Sequence, residues 1–442
     1  MNKSLIFLLF LITITACKKN ATPDQYNALA NNPAFLHDAQ TKMTEVIVHD
    51  IFSPPVASRI YAYSNLAAYE ALIPANPNYI SMAGQLKGFG KSPSPEAGKE
   101  YCLGLSSVKA FLVIARNLTF SGEKYDDYEK TLFAKFQNEM GIPADVYERS
   151  MKYGEAVASH IMDYSKKDNY KQTRGFRHSV TNAPGTWAPT PPAYMDSVEP
   201  LWKKIRPLTL DSAAQFAPVA PPKYDMNPQS EFYKLAKEVK DIGINLTEEQ
   251  KVIANFWDCN PFKMNIQGHA MFATKKISPG GHWISIAGLC ARKANANLMQ
   301  TAEAYTLTSI ALMDAFISCW DEKYRSNVVR PESVINQHLD RNWQPLLQTP
   351  PFPEYPSGHS VASNASALAL ERVFGEKFAF DDSTEVRFGI PVRSFESFRA
   401  AADQASISRI YGGIHYMPAI TNGASQGKKV GQWVIDKIKT RK

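Results

Sequence analysis

Residues 291–320 read ARKANANLMQTAEAYTLTSIALMDAFISCW. The run is rich in Ala, Leu and Met and holds neither Gly nor Pro, so it predicts one long helix. It delivers the chain to Lys323–Pro331, KYRSNVVRP. Working outward, the same signature recurs. Residues 43–73 space their apolar side chains by three or four, with a break at Pro54-Pro55. Residues 105–120, 123–140 and 144–165 are three more amphipathic stretches, and Leu246-Thr247-Glu248-Glu249 has the form of a capped helix start. Few segments alternate with period two. The expected fold class is all-α.

The chain has 442 residues, 44% of them apolar and 21% charged, which suffices for a large core and argues against wholesale disorder. The net charge of +7 is spread without Lys/Arg runs, so no nucleic-acid partner is expected. Five cysteines are too few for a disulfide scaffold. Cys102, Cys259, Cys290 and Cys319 sit singly in apolar or helical contexts. They read as buried thiols, with one disulfide as the other possibility. Residues 183–227 are proline-dense, including Pro191-Pro192 and Pro221-Pro222. They are expected to run extended, either as a boundary between two helical halves or as a long loop packed down by Trp187, Tyr194 and Trp202.

The first residues look like an address. Lys3 is a positive start, Leu5 to Ile14 form a short apolar core, and small residues precede Cys17. This resembles a bacterial lipoprotein signal, which implies lipidation of Cys17 after removal of residues 1–16. A polar tether (17–35) would then hold the body at a membrane surface without spanning it. The expected location is the bacterial cell envelope, as an exported lipoprotein of the outer membrane facing periplasm or surface. The remaining segmentation is an N-terminal helical region (36–182), the proline-rich connection (183–227) and a C-terminal bundle (228–442).

Three short motifs carry chemistry. Lys323 and Arg330 are seven apart, about two turns if both lie on one helix, and two cations on one face repel unless an anion sits between them. Pro356-Ser357-Gly358-His359 follows Pro350, Pro351 and Pro353 and opens a run of small residues, 361–372. A helix start offers free N–H groups to an anion, and Gly358 permits close approach. Ser357 adds a hydroxyl, and His359 an acid–base group. In Ser408–His415, SRIYGGIH, the glycine pair suggests a bend that turns Arg409 and His415 to one side. Each motif alone equally suits a solvated basic face, a plain helix cap or a core histidine.

In this order, the three motifs resemble the signature shared by type 2 phosphatidic acid phosphatases, bacterial acid phosphatases and vanadium-dependent haloperoxidases. The long N-terminal portion is similar to the haloperoxidase-like branch, whose fold is two helical bundles. The resemblance implies one pocket for an oxyanion. Lys323, Arg330 and Arg409 would neutralise its oxygens, and Ser357 and the Gly358 N–H would donate to it. His415 would be the axial ligand of vanadate, His359 the acid–base partner and Lys323 the polarising cation. Trp320, Phe352 and Pro350 resemble an apolar halide wall. Phe256-Trp257-Asp258 is similar to a segment whose Asp pairs with the last arginine. The family commonly places an Asp four residues after the last histidine, but this chain has Ala419. A backbone carbonyl or another side chain is left to orient the ring.

The implied activity is oxidation of halide by hydrogen peroxide with vanadate as cofactor. Two other readings use the same pocket. One is a phosphomonoesterase acting through a phosphohistidine at His415. The other is an oxyanion-binding lipoprotein without catalysis. His269 and His282 lie in glycine-containing stretches read as loops, either as structural histidines or as part of the entrance.

Overall fold

The structure, a computed structural model, describes residues 21–442 except Gly268. The expected signal segment and Cys17 therefore lie outside the described residues. Among the described residues helices dominate, and the strands form two antiparallel pairs, 264–267 with 270–273 and 380–382 with 393–395. No helix among the described residues is long and apolar enough to cross a membrane.

The first bundle is built on the helix Pro54–Leu72, packed by Leu103–Leu118 and Ala144–Ser165. The sequence break at Pro54-Pro55 is a helix start. Ser53 caps it, accepting from the Val56 N–H, and the prolines occupy the first turn, where a missing N–H costs nothing. Every residue of this helix is buried, so its polar groups need internal partners. Arg59 finds Asp168 at 2.6 Å, and Glu70 accepts from the Met82 N–H at 2.7 Å.

The second bundle joins Leu298–Ser326, Gly358–Phe374, Phe398–Tyr411 and Met417–Lys437, with Pro279–Lys293 alongside. Leu298–Ser326 also packs on Pro54–Leu72, so one apolar core runs through both bundles. Gly427 lets two helices of the site touch backbone to backbone: a Cβ there would lie 2.3 Å from the Val361 carbonyl oxygen. That approach holds the start of Gly358–Phe374 in place.

The single helix expected over 291–320 is divided. One helix ends at Lys293, Asn295 takes a left-handed conformation (φ 49°), and Asn297 starts a new helix through a reciprocal cap with Gln300. Short polar Asn tolerates both jobs, and they override a run otherwise favourable to helix. The second helix runs past Trp320 to Ser326 and stops at Asn327 (φ 49°). Lys323 and Arg330 therefore do not share a helix. Arg330 stands at the cap position of Pro331–His338.

The proline-dense segment is pinned rather than loose. Trp187 and Trp202 are fully buried, whereas Tyr194 is exposed and packs nothing down. Buried Asp314 gathers the N–H groups of Leu208, Thr209 and Leu210. The four described cysteines are buried and free, so the disulfide alternative falls.

Candidate active site

The three motifs converge. The helix Leu298–Ser326 supplies Lys323, and the turn after it supplies Arg330. Ser357 caps Gly358–Phe374, accepting from the Ser360 N–H at 3.3 Å, so Gly358 and His359 fall in its first turn. The helix Phe398–Tyr411 carries Arg409. The bend at Gly412-Gly413, with Gly413 at φ +74°, then turns the chain so that His415 precedes the next helix. Gly358, His359, Arg409 and His415 line one cleft with Phe316, Trp320, Pro350 and Phe352.

The cations are held by neutral groups. Arg330 donates from Nε to the Phe352 carbonyl (2.9 Å) and from Nη1 to the Ile414 carbonyl (2.8 Å) and to His415 Nε2 (3.2 Å). Arg409 donates from Nε to Ser408 Oγ (3.0 Å) and from Nη2 to the Trp257 carbonyl (2.8 Å). Burial lowers both guanidinium pKa values to about 10, which leaves them charged at neutral pH. Lys323 Nζ donates to the carbonyls of Pro353, Glu354 and Pro356 at 2.9, 3.0 and 2.6 Å. Burial pulls its pKa down to about 7. The three carbonyls oppose this, since only an ammonium can satisfy all of them at once.

His415 has a defined tautomer. A guanidinium only donates, so Nε2 must present its lone pair to Arg330. The ring proton then sits on Nδ1 and is donated to Glu354 Oε1 at 2.8 Å. The Tyr416 N–H donates to the same oxygen at 3.0 Å. Burial and the Arg330 charge hold His415 well below the ordinary imidazole range, so it is neutral. Burial pushes the Glu354 carboxyl up to about 7, against the pull of Arg330 and Lys323.

Glu354 thus stands where the sequence pattern lacked an orienting Asp. Ala419 contributes only its carbonyl, which accepts from the Ser357 N–H at 3.0 Å. The signal for Glu354 was faint. It is the only acidic residue between Asp340 and Glu371, set between Pro353 and Pro356. The Trp257 and Ser408 contacts to Arg409 could not have been read from residue type, because one is a backbone carbonyl.

Other expected positions differ. Asp258 does not bond Arg409. Its Oδ2 meets Lys276 at 2.7 Å and Lys263 at 3.5 Å, and only its field reaches the guanidinium. Trp320 and Phe352 do pack together, ring centroids 5.1 Å apart, with Lys323 Nζ 5.0 Å and Arg330 Cζ 5.1 Å from the Phe352 ring. Two cations thus approach one aromatic ring, one from the end of a helix and one from the cap of the next. His282 is no loop residue: it sits in the first turn of Pro279–Lys293, buried, 2.6 Å from Asp382. His269 lies in an exposed turn and is not among the residues lining the cleft.

The residues fit an oxyanion. Among the described residues, Arg330 Nη2 and His359 Nε2 are buried without a hydrogen-bond partner, an expensive state unless a ligand supplies one. Three buried cations meet Glu354 and the field of an Asp258 already shared by two lysines, which leaves positive charge in excess.

Comparison with known proteins agrees with this geometry. The crystal structure of a bacterial vanadium-dependent iodoperoxidase is 48% identical, with a TM-score of 0.88 over 93% of this chain and 98% of that one. The chain belongs to the vanadium-dependent haloperoxidases. Its residues 303–441 also match the model of the VCPO second helical-bundle domain. Two structures of bacterial vanadium-dependent chloroperoxidase, holo and apo, share the fold of these haloperoxidases at 16% and 17% identity, each with a TM-score of 0.66. They align with 88% and 87% of this chain and with 93% and 94% of theirs. A search of curated proteins gave no match.

Proposed function

We propose that the protein oxidises halide with hydrogen peroxide, iodide being the halide it uses, with vanadate as the anion in its cradle. The observation that carries this reading is His415. It is neutral, its Nδ1–H is fixed on Glu354, and its Nε2 lone pair is turned toward Arg330 in a cleft with excess positive charge. A ligand for a metal oxyanion needs that state of the imidazole. When bound, vanadate supplies Lewis-acid activation of peroxide without changing its oxidation state.

The chain's own groups do the rest. His415 Nε2, Arg330 Nη2, Arg409, Ser357 and the Gly358 N–H would hold the group. His359 is neutral, because burial and the Arg409 charge keep it well below the ordinary imidazole range. Its unpartnered Nε2 can take a proton from incoming peroxide. Trp320, Phe352 and Phe316 form an apolar side that suits a large, weakly hydrated halide.

The test is side-by-side turnover with and without vanadate. Iodide oxidation that requires both vanadate and peroxide is expected, with chloride and bromide slower. Phosphate release from a phosphomonoester, with no halide oxidation, would refute the reading. The envelope location rests on Lys3, Leu5–Ile14 and Cys17 alone. Labelling with a fatty-acid probe that is lost in Cys17→Ala is the expected result.

A further inference from the structure

Behind the cleft lies a second cluster that the halide reading does not use. Cys259, His282 and the Asp382–Glu385 turn come from three different places in the chain, and all four side chains are buried. His282 Nε2 is 2.6 Å from Asp382 Oδ2. On its other side, His282 Nδ1 faces two atoms at once, Cys259 Sγ at 3.3 Å and Glu385 Oε1 at 3.2 Å. Sγ and Oε1 are 3.9 Å apart.

From these distances we infer that Cys259, His282 and Glu385 form a binding site for one zinc-type divalent cation, with Asp382 fixing the imidazole. Tetrahedral zinc, with bonds of about 2.3 Å to sulfur and about 2.1 Å to nitrogen and oxygen, separates its ligand atoms by roughly 3.4–3.6 Å. The three observed separations bracket that range. Histidine ligands of zinc regularly donate their other ring N–H to a carboxylate, which is what Asp382 accepts here.

With the cation bound, a thiolate, a neutral imidazole and two carboxylates would surround it, leaving one net negative charge.

The site adjoins the oxyanion cradle. Trp257 stacks on His282 (centroids 4.7 Å, 22°), and its carbonyl accepts from Arg409. Cys259 itself lines the cleft. A cation on Cys259 and His282 would therefore stiffen the turn that positions the last arginine. The inference stands on the cluster alone and does not need the halide activity.

The experiment uses the purified protein isolated without chelator, incubated with excess Zn²⁺ and desalted. Elemental analysis should return about one zinc per chain. Loading with Co²⁺ instead should give a thiolate-to-cobalt charge-transfer band. Cys259→Ala should abolish band and stoichiometry, and Glu385→Gln should weaken both. A wild-type protein that retains no zinc, or shows no thiolate band with cobalt, overturns the inference whether or not the variants fold. So does a Cys259→Ala variant that binds zinc as the wild type does.

Discussion

The two bundles bury arginine in opposite ways. In the first, Arg59 meets Asp168 at 2.6 Å, donates to the Ser165 carbonyl and lies over the Tyr63 and Tyr170 rings. Asp168 also accepts from the Tyr63 hydroxyl and the Tyr170 N–H. The charge is cancelled where it stands. In the second, Arg330 and Arg409 are just as buried but are held by carbonyls, a hydroxyl and an imidazole nitrogen, and Arg330 Nη2 has no partner. Neutral acceptors fix a guanidinium without consuming its charge. A buried arginine closed by its own carboxylate serves the fold, whereas one closed only by dipoles is kept for a ligand.

The contrast breaks most visibly in the first bundle. Asp168→Ala leaves Arg59 charged, buried and unpaired, and should cost about 3–5 kcal/mol of stability. Chemical denaturation measures this, and a loss below 1 kcal/mol would mean that water reaches Arg59. Arg330→Met should do the reverse. Without oxyanion, the variant should be as stable as the wild type or more so, because an uncompensated buried charge has gone. Vanadate affinity should nevertheless fall about 100-fold, the scale of a lost charge-assisted hydrogen bond. Titration calorimetry reads the binding, and unchanged affinity would take Arg330 out of the cradle.

A finer version concerns the ring between those arginines. Glu354→Gln puts an amide where the carboxylate accepts from His415 Nδ1 and the Tyr416 N–H. The amide can offer its N–H₂ to Nδ1, so the ring proton can move to Nε2 and the ligand lone pair is lost. Turnover should fall at least about 10-fold. A shift in the ¹⁵N signals of His415 should accompany the fall, which a merely structural defect would not produce. Equal turnover with unmoved signals would leave the tautomer to Arg330 alone.

Much of this was readable beforehand, for a physical reason. Helical periodicity and proline punctuation located the helices, while Ser357, Gly358, Arg409 and His415 were singled out by the resemblance of three motifs taken together, since each motif alone also suits a helix cap or a core side chain. What escaped depended on partners distant in sequence. Glu354 reaches His415 across 61 positions, and the Arg409–Trp257 contact spans 152. Asp258 was misassigned because residue type cannot tell which nearby cation a carboxylate will meet, and Lys276 was nearer. The supposed single helix over 291–320 failed at Asn295 and Asn297, where capping outweighs propensity.

The smallest expected effect is in pH. Burial lowers the Lys323 pKa to about 7, so in the free protein its charge is fully present below that pH and fades above it. A bound anion favours the ammonium and raises the pKa in the complex. Affinity for an anion should therefore be flat at low pH and weaken as pH rises through 7, by at most about 10-fold per pH unit. Glu354, raised to about 7 by burial, ionises in the same window and pushes the same way. Tungstate is a suitable probe because its own charge is constant over the range. Lys323→Met should remove the lysine share of the slope and leave the part due to Glu354. A wild-type affinity for tungstate that does not change with pH would show that Glu354 does not change its charge in this window and that the three carbonyls keep Lys323 charged throughout. Its pKa in the free protein would then lie near that of an exposed lysine despite the burial.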